Sequence, residues 1–115
     1  MSKSQRVRTE PSTQMDALTM SEKHMGRAHY GQALALLLPV LRKDPGNLAA
    51  LNLAAVCYLS LGDGHTAARL LELVVDLRPD LWCAWGKLAA VRTTCGDKTG
   101  ARAAYEQALA LAPQQ

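Results

Sequence analysis

The sequence contains no phenylalanine and only three cysteines among its 115 residues. Cys57, Cys83 and Cys95 show none of the short paired spacings that are typical of metal or redox motifs. The three histidines also lack cysteine or carboxylate neighbours at helical spacing, so no metal site is indicated. We therefore expect reduced, mostly buried thiols, no metal, no cofactor and a cytoplasmic protein.

Other functional classes are excluded by what is missing. No glycine-rich phosphate loop occurs, since Gly62-Asp63-Gly64 fits a turn between helices. The uncharged stretch 48–61 is shorter than the roughly 20 residues that span a bilayer, and it predicts a buried helix. The net charge of +3 is dispersed rather than gathered on one face, which argues against nucleic-acid binding. No catalytic constellation is present, so we expect neither an enzyme nor a membrane-inserted protein.

A 34-residue period dominates what is present. Pro45 recurs as Pro79 and Pro113, and the dipeptide Gly-Asp at position 62 recurs at position 96. A period of this length is typical of stacked supersecondary units. Residues 1–13 are polar and unpatterned, without the apolar stretch of a signal peptide, and we predict a disordered lead-in there. The predicted repeats are 14–47, 48–81 and 82–115.

Each repeat is predicted to form two helices joined by a tight turn, which makes the chain all-α with six helices and no strand. Gly62 and Gly96 suit left-handed ends of the first helices, and the three periodic prolines stop the second helices. Pro39 falls inside a predicted helix, where we expect a kink that is tolerated if it faces solvent. The predicted helices are 14–27, 30–43, 48–61, 64–77, 82–95 and 98–111.

The third repeat has a large residue, Leu, Ala, Ala, an aromatic, Ala and Pro at fixed positions. These are Trp85, Leu88, Ala89, Ala101, Tyr105, Ala108 and Pro113. This pattern resembles the tetratricopeptide repeat consensus, and the resemblance extends over 14–115, with a degenerate first repeat. It implies a right-handed solenoid of helix pairs that binds other proteins.

The resemblance also implies a concave groove lined by the first helix of each repeat. Its middle is apolar, so we expect it to hold an amphipathic helix of a protein partner. The alternative is that a small solenoid closes up and buries this face. The predicted groove residues are Met15, Leu18, Glu22, Asn52, Leu53, Val56, Leu59, Lys87 and Ala90.

One specialised form of the family holds acidic C-terminal tails of heat-shock chaperones through basic and amide side chains. At the corresponding positions this sequence has Leu18, Glu22, Leu53, Cys83 and Lys87. Only Lys87 matches, and Glu22 would repel a ligand carboxylate. The sequence therefore disfavours a carboxylate clamp.

The small build and the closing segment 96–111 are similar to chaperones of bacterial type III secretion. That similarity implies a cytoplasmic chaperone or targeting partner that covers an aggregation-prone export substrate. A general scaffold or assembly adaptor, self-associating or not, is the alternative.

The last helix suggests a further contact. Only Gln114 and Gln115 follow Pro113 in the sequence, and repeat arrays usually cover their final apolar face. We expect an exposed edge at Ala108 and Leu109. It predicts a homodimer, or a heterodimer whose partner supplies a covering helix.

Overall fold

The computed structural model describes residues 13–113, which form six α-helices and no strand. Each helix contacts the next one along the chain, so three helix pairs stack in sequence order, and α1 also touches α3. The predicted all-α repeat architecture is confirmed. The helices are α1 (Gln14–Gly26), α2 (Tyr30–Lys43), α3 (Leu48–Ser60), α4 (Gly64–Leu77), α5 (Trp82–Thr94) and α6 (Lys98–Leu111).

The helix bounds agree with the sequence prediction to within one residue. The first helix of each pair ends one residue earlier than predicted, at Gly26, Ser60 and Thr94. α2 runs unbroken through Pro39, which is exposed, so water can satisfy the carbonyl that proline leaves without a donor. Most of the predicted disordered lead-in lies outside the described residues, but Thr13 caps α1.

Side-chain caps fix where four of the helices begin. In each case a side-chain oxygen accepts a hydrogen bond from the backbone N–H three residues later, over 2.9–3.2 Å. Leu81 cannot cap α5 in this way; the indole Nε1 of Trp85 instead donates to the carbonyl oxygen of Pro79 at 2.8 Å and fixes the preceding loop. The capping residues are Thr13, Asn47, Asp63 and Asp97.

Small residues occupy one position of the first helix and one position of the second helix in each repeat, where the two helices of the pair pack together. All six are at most 7% exposed, and a larger side chain at such a crossing would cost about 1–3 kcal/mol. These residues are Ser21, Ala33, Ala55, Ala67, Ala89 and Ala101.

The core consists of two clusters that meet in the middle repeat. The first joins α1, α2 and α3 around Leu37, and the second joins α3 to α6 around Leu71 and Leu88. Leu41, Tyr58 and Leu70 pack against both clusters. The two clusters therefore form one continuous core, which a single repeat could not bury by itself.

The cysteines differ from the prediction of mostly buried thiols. Cys57 is buried, Cys95 is partly buried and Cys83 is exposed, and all three are free. Cys57 lies on the face of α3 that packs against the first repeat, whereas Cys83 lies on the open side of α5.

Within the described chain, no helix is long and apolar enough to cross a membrane.

Candidate interaction surfaces

One side of α3 remains accessible while the other is buried. Asn52, Leu53 and Leu59 are half-buried and Val56 is 40% exposed. Because a helix turns once every 3.6 residues, these positions share one side of α3. The uncharged composition of this segment predicted a buried helix, but the structure buries only one side of α3. Its buried residues are Ala50, Leu51, Ala54, Ala55 and Cys57.

The first helices on either side of α3 show the same pattern. On α1, Met15 is 70% exposed, Glu22 is exposed and Leu18 is half-buried. On α5, Lys87 and Ala90 are exposed. All nine predicted groove residues therefore keep some solvent exposure, which leaves this surface available to a ligand.

A hollow of about 150 Å³ lies between α3 and α5, and we call it the central hollow. It brings together five predicted residues that are far apart in sequence. Sequence reasoning missed three further members, because Ala55, Leu71 and Val91 are core positions whose edges reach the surface only where two repeats meet. The lining residues are Asn52, Ala55, Val56, Leu59, Leu71, Lys87, Ala90 and Val91.

Two polar groups lie at this otherwise apolar hollow. The Asn52 amide nitrogen donates to the Leu48 carbonyl at 3.0 Å, while its Oδ1 is buried without a hydrogen-bond partner. Lys87 forms no ion pair with any described residue. The hollow can therefore accept an apolar side chain and can attract a carboxylate beside it.

The remaining predicted groove residues are not part of the hollow. Leu18 and Leu53 pack against the first core cluster. Met15 and Glu22 are exposed on α1 and do not line the hollow either. The structure thus brings five of the nine predicted groove residues together at the hollow and leaves four outside it.

A second depression lies at the end of the stack, between α5 and α6. It encloses about 490 Å³ and is more open than the central hollow. Tyr105, at its edge, is 56% exposed, and Leu109, one turn further along α6, is 60% exposed. We call this depression the end groove; its lining residues are Gly86, Ala89, Ala90, Thr93, Lys98, Ala101, Arg102 and Tyr105.

The predicted exposed edge needs one correction. Ala108 is only 6% exposed, because it shares the inner face of α6 with Ala101 and Ala104, which faces α5. Leu109, the next residue, points away from that face and is exposed. The large exposed hydrophobic residues of α6 are therefore Tyr105, Leu109 and Leu111.

The shifted pKa values belong to structural groups. Hydrogen bonds from Thr66 lower the pKa of Asp63, the α4 cap, and Arg78 lowers the pKa of Asp80 in the following loop. Burial raises the pKa of the Cys57 thiol. None of these groups lines either depression. Among the described residues, no cluster of three or more His, Cys, Asp or Glu side chains could hold a metal ion.

The sequence matches the tetratricopeptide repeat family over residues 24–90 and again over residues 84–115. The chain belongs to this family, whose repeats are protein–protein interaction modules and generally non-catalytic. A tetratricopeptide repeat and J domain-containing co-chaperone of Fusarium oxysporum is 33% identical over 88 residues, which is 76% of this chain and 17% of the relative. The chain thus spans less than a fifth of that protein.

Solved structures agree with the family assignment. The tetratricopeptide domain of Sgt2 from Aspergillus fumigatus superposes with a TM-score of 0.80 at 27% identity, over 92% of this chain and 72% of that one. The first tetratricopeptide domain of Spaghetti (RPAP3), bound to an HSP90 peptide, gives a TM-score of 0.82 at 20% identity, over 96% and 87% of the two chains. At 20% identity, the similarity to the Spaghetti (RPAP3) domain is a similarity of fold only.

Proposed function

We propose that this chain holds an amphipathic helical segment of a partner protein in its concave groove, as a small chaperone or targeting partner. The observation that supports this most directly is the central hollow. Val56 and Leu59 stay accessible in an apolar depression, with Lys87 beside them. Apolar surface of this kind is favourable to cover, and a helix that places one apolar side chain in the hollow would do so.

The relatives favour a chaperone-related role, since one of them is a co-chaperone. No relative supports the narrower prediction of a type III secretion chaperone, so the proposal names a helical segment and no secretion substrate. We also propose a cytoplasmic location, because three free cysteines suit a reducing compartment.

An acidic peptide end suits this groove less well than an apolar helix. Lys87 is the one cation among the nine predicted groove residues, and Glu22 is an exposed anion on the same side of the stack. A bound carboxylate therefore has a single cationic partner here, whereas an apolar side chain has a hollow of about 150 Å³.

Site-specific photo-crosslinking tests the proposal. A benzoylphenylalanine at Val56 should yield a discrete crosslinked partner in cells, whereas the same group at Leu73, a position of similar exposure on α4, should not. Val56→Asp should lower affinity for that partner more than tenfold, since it places a carboxylate against an apolar ligand. Circular dichroism should show unchanged helicity. Equal crosslinking at both positions would contradict the proposal.

Leu59 is the weaker choice for this experiment. It packs against the second core cluster, so Leu59→Asp is expected to destabilise the fold as well as the groove.

The adaptor alternative is distinguished by how the purified chain behaves without a partner. A chaperone should become monodisperse only with its partner, whereas an adaptor should be soluble alone.

A further inference from the structure

The end groove lies at the repeat position that the central hollow occupies in the second repeat, where α5 covers the α4 side of that position. Leu71 and Val75 on α4 are 2% and 5% exposed, because α5 packs against α4. Their counterparts 34 residues later, Tyr105 and Leu109, are 56% and 60% exposed. The repeat pattern thus identifies the end groove as a surface shaped for one more helix.

The chain itself shows what such a helix looks like. Where α3 packs against the first repeat and α5 packs against the second, each buries apolar residues at spacing i, i+4, i+7. Each stripe belongs to a core cluster that also includes residues of both helices of the preceding pair. The stripes are Ala50, Ala54 and Cys57 on α3, and Ala84, Leu88 and Val91 on α5.

The end groove differs from the covered internal surface in its charge. Lys98 and Arg102 line it at positions where the middle repeat has Gly64 and Ala68. Arg102 approaches Glu106 at 3.7 Å, but both side chains are more than two-thirds exposed, so the pair is weak. A further helix identical in kind to α5 would leave these two cations without partners. The complementary helix therefore carries acidic residues.

A second copy of this chain does not meet that requirement. At the positions of the α3 and α5 stripes, α1 has Asp16, Met20 and Lys23, so stacking α1 onto the end groove would bury charged groups. This stacked arrangement is not complementary.

We propose that the end groove is a second binding site, which takes an amphipathic helix of another polypeptide. That helix has apolar residues at i, i+4, i+7 and acidic residues opposite Lys98 and Arg102. This site is separate from the central hollow, since only Ala90 lines both depressions.

Two synthetic peptides test this site. Both are helical, about 20 residues long, with leucines at i, i+4, i+7 and i+11; one has glutamates on the flanks of the leucine stripe and the other has lysines. Fluorescence anisotropy should show that the full chain binds the glutamate peptide at least tenfold more tightly. Lys98→Glu with Arg102→Glu should reverse this preference.

Matched variants locate the site. Leu109→Arg should weaken binding of the glutamate peptide at least tenfold, whereas Leu73→Arg, at an exposed position on α4, should leave it unchanged. Circular dichroism confirms that each variant is folded. Unaltered binding by Leu109→Arg, or equal binding of the two peptides, would overturn the proposal. So would a concentration-dependent dimer, found by sedimentation, that Leu109→Arg dissociates, because a second copy would then cover the end groove.

Discussion

The turn between the two helices of each repeat has the same backbone in all three repeats but different residues in the first. Gly62 and Gly96 adopt φ of 90° and 83°, and the corresponding residue of the first repeat, Ala28, adopts φ of 62°. In every case the next residue donates its N–H to the carbonyl of the residue five positions before it, over 2.7–2.8 Å. This is the Schellman geometry that ends a helix.

The side chains that follow also differ. Asp63 and Asp97 cap α4 and α6, whereas His29 forms no side-chain cap on α2. The first repeat therefore adopts the family backbone without the two residue types that favour it. A non-glycine residue in the left-handed region costs about 1–2 kcal/mol, and an absent cap costs about 0.5–2 kcal/mol.

Packing between repeats therefore imposes the turn on a segment that does not prefer it. Leu37, Val40 and Ala54 of the first cluster are buried, and this burial holds α2 against α3. In a stack where each repeat contacts only its neighbours, such a weak unit at one end is expected to open first.

The largest predicted effect concerns one repeat position, occupied by Leu37, Leu71 and Tyr105. Leu37→Ala and Leu71→Ala should each cost about 2–5 kcal/mol, because both leucines are fully buried. Leu37→Ala should detach the first repeat in a separate early transition, whereas Leu71→Ala should lower the stability of the whole stack. Tyr105→Ala, at the exposed counterpart, should have a small effect. Urea titration followed by circular dichroism measures all three; a single shared transition for Leu37→Ala would refute the weak-end interpretation.

A stabilising change should remove the difference between the repeats. Ala28→Gly with His29→Asp gives the first turn the residues of the other two, and it should raise stability by about 1–3 kcal/mol. The matched control is Gly96→Ala, which should destabilise the third repeat. Protection of the buried Cys57 thiol against alkylation reports opening of the first repeat and should increase in the double variant. A thiol as reactive as in the parent would contradict the prediction.

A smaller effect is expected where the second and third repeats meet. A Cβ at Gly64 would lie 2.8 Å from the sulfur of Cys95, so Gly64→Ala should cost about 1 kcal/mol through overpacking. Cys95→Ala should relieve that cost in the double variant. Thermal unfolding of the four proteins in this cycle gives the coupling, and additive effects would show that the sulfur moves aside freely.

The smallest effect is expected at Ser21, the one buried polar side chain among residues 13–113. Its hydroxyl donates to the carbonyl of Leu18 at 2.7 Å, and the other repeats have alanine at this position. Ser21→Ala removes donor and hydrogen bond together, so stability should change by less than about 0.5 kcal/mol. A much larger loss in urea titration would indicate that the hydroxyl fixes the crossing of α1 and α2.

Local sequence preferences explain most of the helix bounds, because glycine, aspartate and proline lie where the chain must turn. The turn at Ala28 is not predictable from alanine itself, which disfavours positive φ. Only its place 34 residues before Gly62 indicates it. The turn at Ala28 therefore follows from the period, whereas its expected weakness follows from the local residues.

The interaction surfaces could be predicted in part. Helical periodicity alone places Val56 and Lys87 on the accessible side of their helices. It does not separate Leu53, which packs toward the first cluster, from the central hollow, because that depends on how adjacent repeats stack. The error at Ala108 has the same origin, since the inward direction of α6 is set by its packing against α5.

Both tryptophans of the chain lie on α5, in the third repeat. Trp82 is partly exposed, and Trp85 packs against the second core cluster while its indole holds the loop before the helix. Tryptophan fluorescence therefore observes one end of this molecule only. If the first repeat opens separately, the far-ultraviolet ellipticity will fall before the tryptophan emission changes, so the interval between the two transitions measures how independent the ends of the stack are.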